Sequence, residues 1–114
     1  MADPLNNEVT INISGQERKM KASFKAMRAI EIALGKPWAA LGAMVAGGTY
    51  GLNEIATVIF HGLLGNKDTR LTLDEVGEAV AEAGINAMIE PVTSFILIGF
   101  RGAKVSTQAG EPTA

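Results

Sequence analysis

FKAMRAIEIALGKPWAALGAMVAGGTYGLNEIATVIFHGLLG, residues 24–65, reads as three short helices punctuated by glycines: Phe24–Leu34, Trp38–Ala46 and Leu52–Leu64. In the first, Phe24, Met27, Ile30 and Leu34 fall on one stripe at helical spacing. Ser23 supplies an N-cap hydroxyl, while Gly35 and Pro37 stop the helix. Ile32 is the misfit, an apolar side chain between Lys25 and Arg28 on the polar side. The second helix mixes Leu41, Met44 and Val45 with small alanines and ends at Gly47-Gly48. The third turns Leu52, Ile55, Val58, Ile59 and Leu63 to one face and Asn53, Glu54, Thr57 and His61 to the other.

Working outward, residues 1–7 carry no period and read as a flexible lead-in. Val9, Ile11 and Ile13 alternate with polar residues over Glu8–Ile13, the signature of a half-buried strand. A turn at Ser14-Gly15 or Gly15-Gln16 returns the chain along Glu17–Ser23, with Met20 and Ala22 on the apolar face. A lone hairpin is marginal in water, so this one must lie on the helices. After the turn formers Gly65-Asn66-Lys67-Asp68, a surface loop by composition, Thr72-Leu73-Asp74-Glu75 forms a capping box. The helix it starts points Val76, Val80 and Ala83 inward and stops at Gly84. Three readings fit 86–100: a helix from Asn86 kinked at Pro91, a helix with Pro91 in its first turn, or a buried strand over Val92–Phe100. Helix is favoured because helical segments precede it. The fold class is α+β: an N-terminal β-hairpin packed on a bundle of four or five short α-helices, one domain over 8–101, with a disordered tail over 102–114.

Composition narrows the function. With no cysteine, disulfides, thiolate chemistry and cysteine metal sites are excluded together. His61 is the only histidine, so no His-based metal cluster forms, and the glycines match no phosphate loop. No nucleophile–base pair stands out, so the expectation is a protein that is not an enzyme and needs no cofactor. No signal-peptide layout opens the chain, and Val92–Phe100 is too short to span a bilayer, so a cytoplasmic protein without a membrane partner is expected. The net charge of −2 argues against nucleic acid as a partner.

The charges are unevenly spread. Six of the ten basic residues lie between Arg18 and Lys36, whereas Asp74, Glu78 and Glu82 recur at i, i+4 and i+8 as an acidic ridge. That ridge is either a solvated face or a docking ridge for a basic partner. The basic cluster likewise has two readings. Either Lys25 and Arg28 lay their stems over Ile32, or Ile32 is an apolar anchor in a charged rim. Met27, Phe60, Leu64 and the Val92–Phe100 segment extend such a surface. The candidate partner-binding residues are therefore Lys25, Met27, Arg28, Ile32, Phe60, Leu64, Asp74, Glu78 and Glu82. Basic and acidic faces leave self-association into a homo-oligomer open.

The order of a hairpin with a central glycine, the Met27-x-x-x-Glu31-x-x-Leu34-Gly35 helix, Trp38-Ala-Ala-Leu41, the break at Gly47-Gly48, His61-Gly-Leu-Leu-Gly65, Leu73-Asp-Glu-Val76 and Glu82-Ala-Gly84 carries a resemblance. Over residues 8–100 it resembles the small tail protein of gene transfer agents and siphophage-like prophages. That protein is encoded between the tail tube and tape-measure genes and classed as a tail assembly chaperone. The resemblance implies binding to the tape-measure protein while tail tube protein polymerises around it, in the cytoplasm of the host cell. Relatives are also described as tail tube components, which implies a structural alternative. Pro37 and Pro91 depart from the family's pattern.

Overall fold

The computed structural model describes the backbone of residues 2–3 and 7–107, with side chains from Asn7 to Gly102. Strands β1 (Ala2–Asp3), β2 (Glu8–Ile13) and β3 (Gln16–Lys21) form an antiparallel sheet in that order. Helices α1 (Phe24–Leu34), α2 (Trp38–Gly47), α3 (Leu52–Gly65), α4 (Leu73–Ala83) and α5 (Asn86–Thr107) follow. The fold is α+β, a hairpin on five helices.

Ile13 pairs with Gln16, which places the turn at Ser14-Gly15. Both residues have positive φ, 54° and 82°, as the tight hairpin turn matching strand twist requires. The Asn12 carboxamide accepts the Gly15 N–H at 3.0 Å and braces it. Register then brings Val9 opposite Met20, and Val9, Ile11, Ile13, Met20 and Ala22 are all buried on the helices. The short β1 is an addition: Ala2 and Asp3 pair with Val9 and Glu8, within the stretch read as a flexible lead-in.

Helix α3 is the hub, and its expected inward residues Ile55, Val58, Ile59 and Leu63 are buried while Asn53 is exposed, but the polar face is narrower than expected. Ile55, Ala56, Thr57, Val58, Ile59, Gly62 and Leu63 are all buried, because α1 and the hairpin cover one side and α4 the other. Thr57 is therefore inside, whereas Leu52, at the helix start, is 41% exposed. Close packing explains two glycines of α3. A Cβ on Gly62 would stand 2.9 Å from that of Met20, and one on Gly65 would collide with the Lys21 carbonyl.

The same closeness rotates α1 from its expected stripe. Its inward face centres on Ala26 and Ile30, with Ala26 set against Gly65. Phe24 lies about 120° around the helix from Ile30 and is 77% exposed. On α4, Val76 and Val80 are buried as expected, joined by Ala79, while Ala83 at the last position is exposed.

The caps are local and follow the sequence. The Ser23 hydroxyl accepts the Ala26 N–H at 3.1 Å. Thr72 and Glu75 exchange the reciprocal pair of the capping box at 3.1 and 2.9 Å. One cap is not local. Pro37, before α2, has no side-chain acceptor, and Glu31 of α1 reaches across the 71° bend to accept the Trp38 N–H at 2.7 Å. A carboxylate at that end also suits the helix dipole. Glu31 of the Met27–Gly35 pattern is thus the joint between two helices.

α5 is helical from Asn86 with Pro91 inside it, one residue into its second turn. Val92, Phe95, Ile96 and Ile98 are buried, closing the core. Gly102 (φ 74°) breaks the helix, and residues 103–107 resume helical backbone, which the sequence placed in a disordered tail. The rest of that tail, 108–114, lies outside the described residues.

Candidate functional site

Among the described residues the surface offers two apolar-floored grooves around α1 and an acidic face on α4. The first groove, about 530 Å³, runs between α1, the start of α2 and α5. Phe24, Met27, Trp38, Gly99 and Phe100 line it, and Arg28 and Glu31 edge it. Its floor is rigid. Trp38 donates its indole N–H to the Ile96 carbonyl at 3.0 Å and tilts 53° against Phe95 at 6.2 Å. Gly99 is where α5 passes the indole, since a Cβ there would sit 2.6 Å from Trp38 Nε1. Phe24 and Phe100 flank this floor while 77% and 52% exposed. Ile32, 68% exposed, continues the Phe24–Arg28 row at i+4 spacing along the outside of α1. The misfit thus stands on the surface, and its lysine and arginine neighbours leave it uncovered.

The second groove, also about 530 Å³, opens between β3, α1 and the end of α3. Ala26, Ala29 and Leu64 form its apolar part, and Lys21, Lys25 and Lys67 surround it. His61 lines one side, with its pKa lowered below 6.5 by burial, so it adds no charge near neutral pH. Phe60 stands edge-on to His61 at 5.0 Å and packs against the core, half-buried.

The acidic ridge stays in solvent. Asp74 and Glu78 border a depression of about 620 Å³ between α3 and α4, with Leu52, Ala56, Leu73 and Ala81. Glu78 and Glu82 face the hairpin turn on the other side of α4, together with Glu75. The nine candidate residues therefore do not form one site. Met27 and Arg28 meet in the aromatic groove, Lys25 and Leu64 in the lysine groove, and Asp74, Glu78 and Glu82 on α4, while Ile32 stands alone on the outside of α1 and Phe60 packs against the core beside His61.

Sequence reasoning missed Phe24, taken for core, and Trp38 as the groove floor. No local signal marked Phe24 as exposed, because the rotation of α1 is set by the close approach of Ala26 to Gly65.

The basic cluster does not form one patch. Arg18 is withdrawn into a buried ion pair, its guanidinium 2.8 Å from Asp68 with side chains only 8% and 6% exposed. Asp68, placed in a surface loop by composition, is thus buried beneath the hairpin. Arg70 grips the same carboxylate at 3.0 and 3.1 Å. These hydrogen bonds, Arg70's foremost, outweigh burial and hold the Asp68 carboxyl at a pKa of about 2. The pair ties β3 to the loop after α3, a structural clamp.

No helix among the described residues is by itself long and apolar enough to cross a membrane. Compared with known proteins, residues 6–102 match a family model described as "phage tail tube protein, GTA-gp10". Neither the curated proteins nor the solved structures yield a match.

Proposed function

We propose a role that proceeds from one fact: the chain belongs to the phage tail tube protein GTA-gp10 family, whose model covers residues 6–102. Within tail morphogenesis, the protein acts as a tail assembly chaperone that binds by surface complementarity and performs no catalysis. Its client is the tape-measure protein, held soluble in the cytoplasm while tail tube protein polymerises around it. The observation that carries this reading is the groove bounded by Phe24 and Phe100, two large aromatic side chains left in solvent beside an indole floor hydrogen-bonded to α5. An amphipathic client helix seats apolar side chains at i, i+3 and i+4 in such a groove. Arg28 and Glu31 at its edge offer both signs of charge to the client's polar flank.

The test is co-expression with the neighbouring tape-measure protein, followed by pull-down and a solubility assay. The tape measure is expected in the soluble fraction only with this protein, and the protein is expected to be missing from finished particles. Phe24→Ala with Ile32→Ala, both on the outside of α1 and so harmless to the core, should weaken capture. Loss of one hot-spot aromatic, on the order of 2 kcal/mol, corresponds to about 30-fold. Unchanged capture by that double variant would remove the groove from the mechanism.

The family's description as a tail tube protein supports a second reading, a structural part retained in the tail. Stoichiometric recovery in purified particles, without association with the tape measure, would establish it over the first.

A further inference from the structure

Helix α3 ends on a lysine where glycine is the ordinary choice. The Asp68 N–H donates to the Leu63 carbonyl at 2.9 Å, and the Lys67 N–H to the Leu64 carbonyl at 2.8 Å. This pair is the Schellman closure of a helix, and it puts Lys67 in the left-handed conformation, φ 62°. At the ends of α1 and α2 that conformation is taken by Gly35 and Gly48. A side chain there crowds its own backbone and weakens the folding equilibrium about fivefold. The chain bears that cost at a residue that lines the lysine groove.

The groove gathers cations from three elements: Lys21 from β3, Lys25 from α1 and Lys67 from the loop after α3. No carboxylate lines it, and among the described residues none of the three ammonium groups takes part in an ion pair. Helix α1 adds to the positive field, because Ser23, its N-cap, and Lys25, in its first turn, both border the groove. That turn carries no acidic residue, although an acid there is the usual complement of the helix dipole. Between the cations the surface is apolar, formed by Ala26, Ala29 and the half-exposed Leu64. An apolar centre in a charged rim is the anatomy of a protein interface. Cations spread over three elements suit carboxylates spaced along a chain better than one compact anion.

We propose that this groove binds an acidic segment of a partner protein. A leucine-sized side chain of that segment packs on Ala26, Ala29 and Leu64, and the carboxylates flanking it meet Lys21, Lys25 and Lys67. Lys67 is then the residue that gives up stability for binding. The groove shares no lining residue with the Phe24–Phe100 groove, so the proposal stands independently of client binding.

Fluorescence anisotropy of the whole protein tests this with a labelled synthetic peptide that carries two leucines between pairs of Asp and Glu. Two control peptides replace the leucines by serine or the acids by lysine. Wild type is expected to bind the first with a Kd on the order of 100 µM and the controls at least about tenfold more weakly. Binding should weaken as salt rises from about 0.05 M to about 0.5 M. Lys25→Gln with Lys67→Gln, both exposed positions, should weaken it about fivefold, the loss of two exposed charge pairs. Lys67→Gly separates binding from structure. It should strengthen the folding equilibrium in urea about fivefold while weakening the peptide about twofold. The proposal is overturned if the acidic peptide shows no binding at about 1 mM, or if either lysine variant binds it as wild type does. It is equally overturned if dodecanoate binds where the peptide does not, which assigns the groove to a small amphiphile. A change in sedimenting mass of the lysine variants with peptide binding unaltered assigns it to a second copy and overturns it too.

Discussion

Replacing Asp68 with alanine is expected to cost about 3 kcal/mol, more than most surface-loop changes, because the residue is a buried counter-ion. Its carboxylate accepts from the Arg18 guanidinium at 2.8 Å, from Arg70 Nε and Nη2 at 3.0 and 3.1 Å, and from the Arg70 backbone N–H at 3.3 Å. Arg70's side chain is 70% exposed, so its share is screened by water and small. The cost comes from Arg18. At 8% exposure it would keep only the Gln16 carboxamide at 3.0 Å as an acceptor, with its Nε already lacking a protein partner. Stranding a buried charge in this way costs about 3–5 kcal/mol, and the lower end applies here because Gln16 remains. For a domain of this size that corresponds to a loss of about 12 °C in Tm. The assay is urea unfolding of wild type, Asp68→Ala, Arg18→Met and the double variant Arg18→Met/Asp68→Ala. The double variant should recover most of the loss, since removing both charges removes the uncompensated one. A cost below about 1 kcal/mol for Asp68→Ala, or strictly additive effects, would refute the burial argument.

The same carboxylate gives a pH dependence. Its folded pKa of about 2 lies below the ordinary 3.8, so its contribution is complete above the unfolded value and disappears as pH falls through about 2. Discounted for Arg70's exposure, it is worth on the order of 1–2 kcal/mol, and Asp68→Ala should flatten that limb of an acid titration followed by circular dichroism. Gly65→Ala should destabilise by about 2 kcal/mol despite alanine's better helix propensity, because its Cβ meets the Lys21 carbonyl; a stabilised variant in urea melts would contradict the close packing of α3 on β3. Gly99→Ala should displace the sole tryptophan from the Ile96 carbonyl and shift its fluorescence to the red. Thr72→Ala should cost about 1 kcal/mol in thermal unfolding, through loss of half the capping box of α4.

What the sequence by itself determined is whatever depends on neighbours a few residues apart. The hairpin turn is written in Ser14-Gly15, the strand facing in the alternation of Val9, Ile11 and Ile13, and the start of α4 in Thr72 and Glu75. The order of breaks that resembles the tail protein family is of the same kind, and the family match covers the stretch that carries it. Tertiary structure alone decided which side of each helix faces inward and which charges are spent inside. Arg18 and Asp68 are fifty positions apart, and Trp38 and the Ile96 carbonyl fifty-eight. No local periodicity encodes such pairs. Phe24 counts as core by its hydrophobicity and spacing, yet it lies outside because α1 approaches α3 through Ala26 and Gly65. Where two helices touch through their smallest residues, backbone closeness sets the rotation, and the large side chains go where space is left.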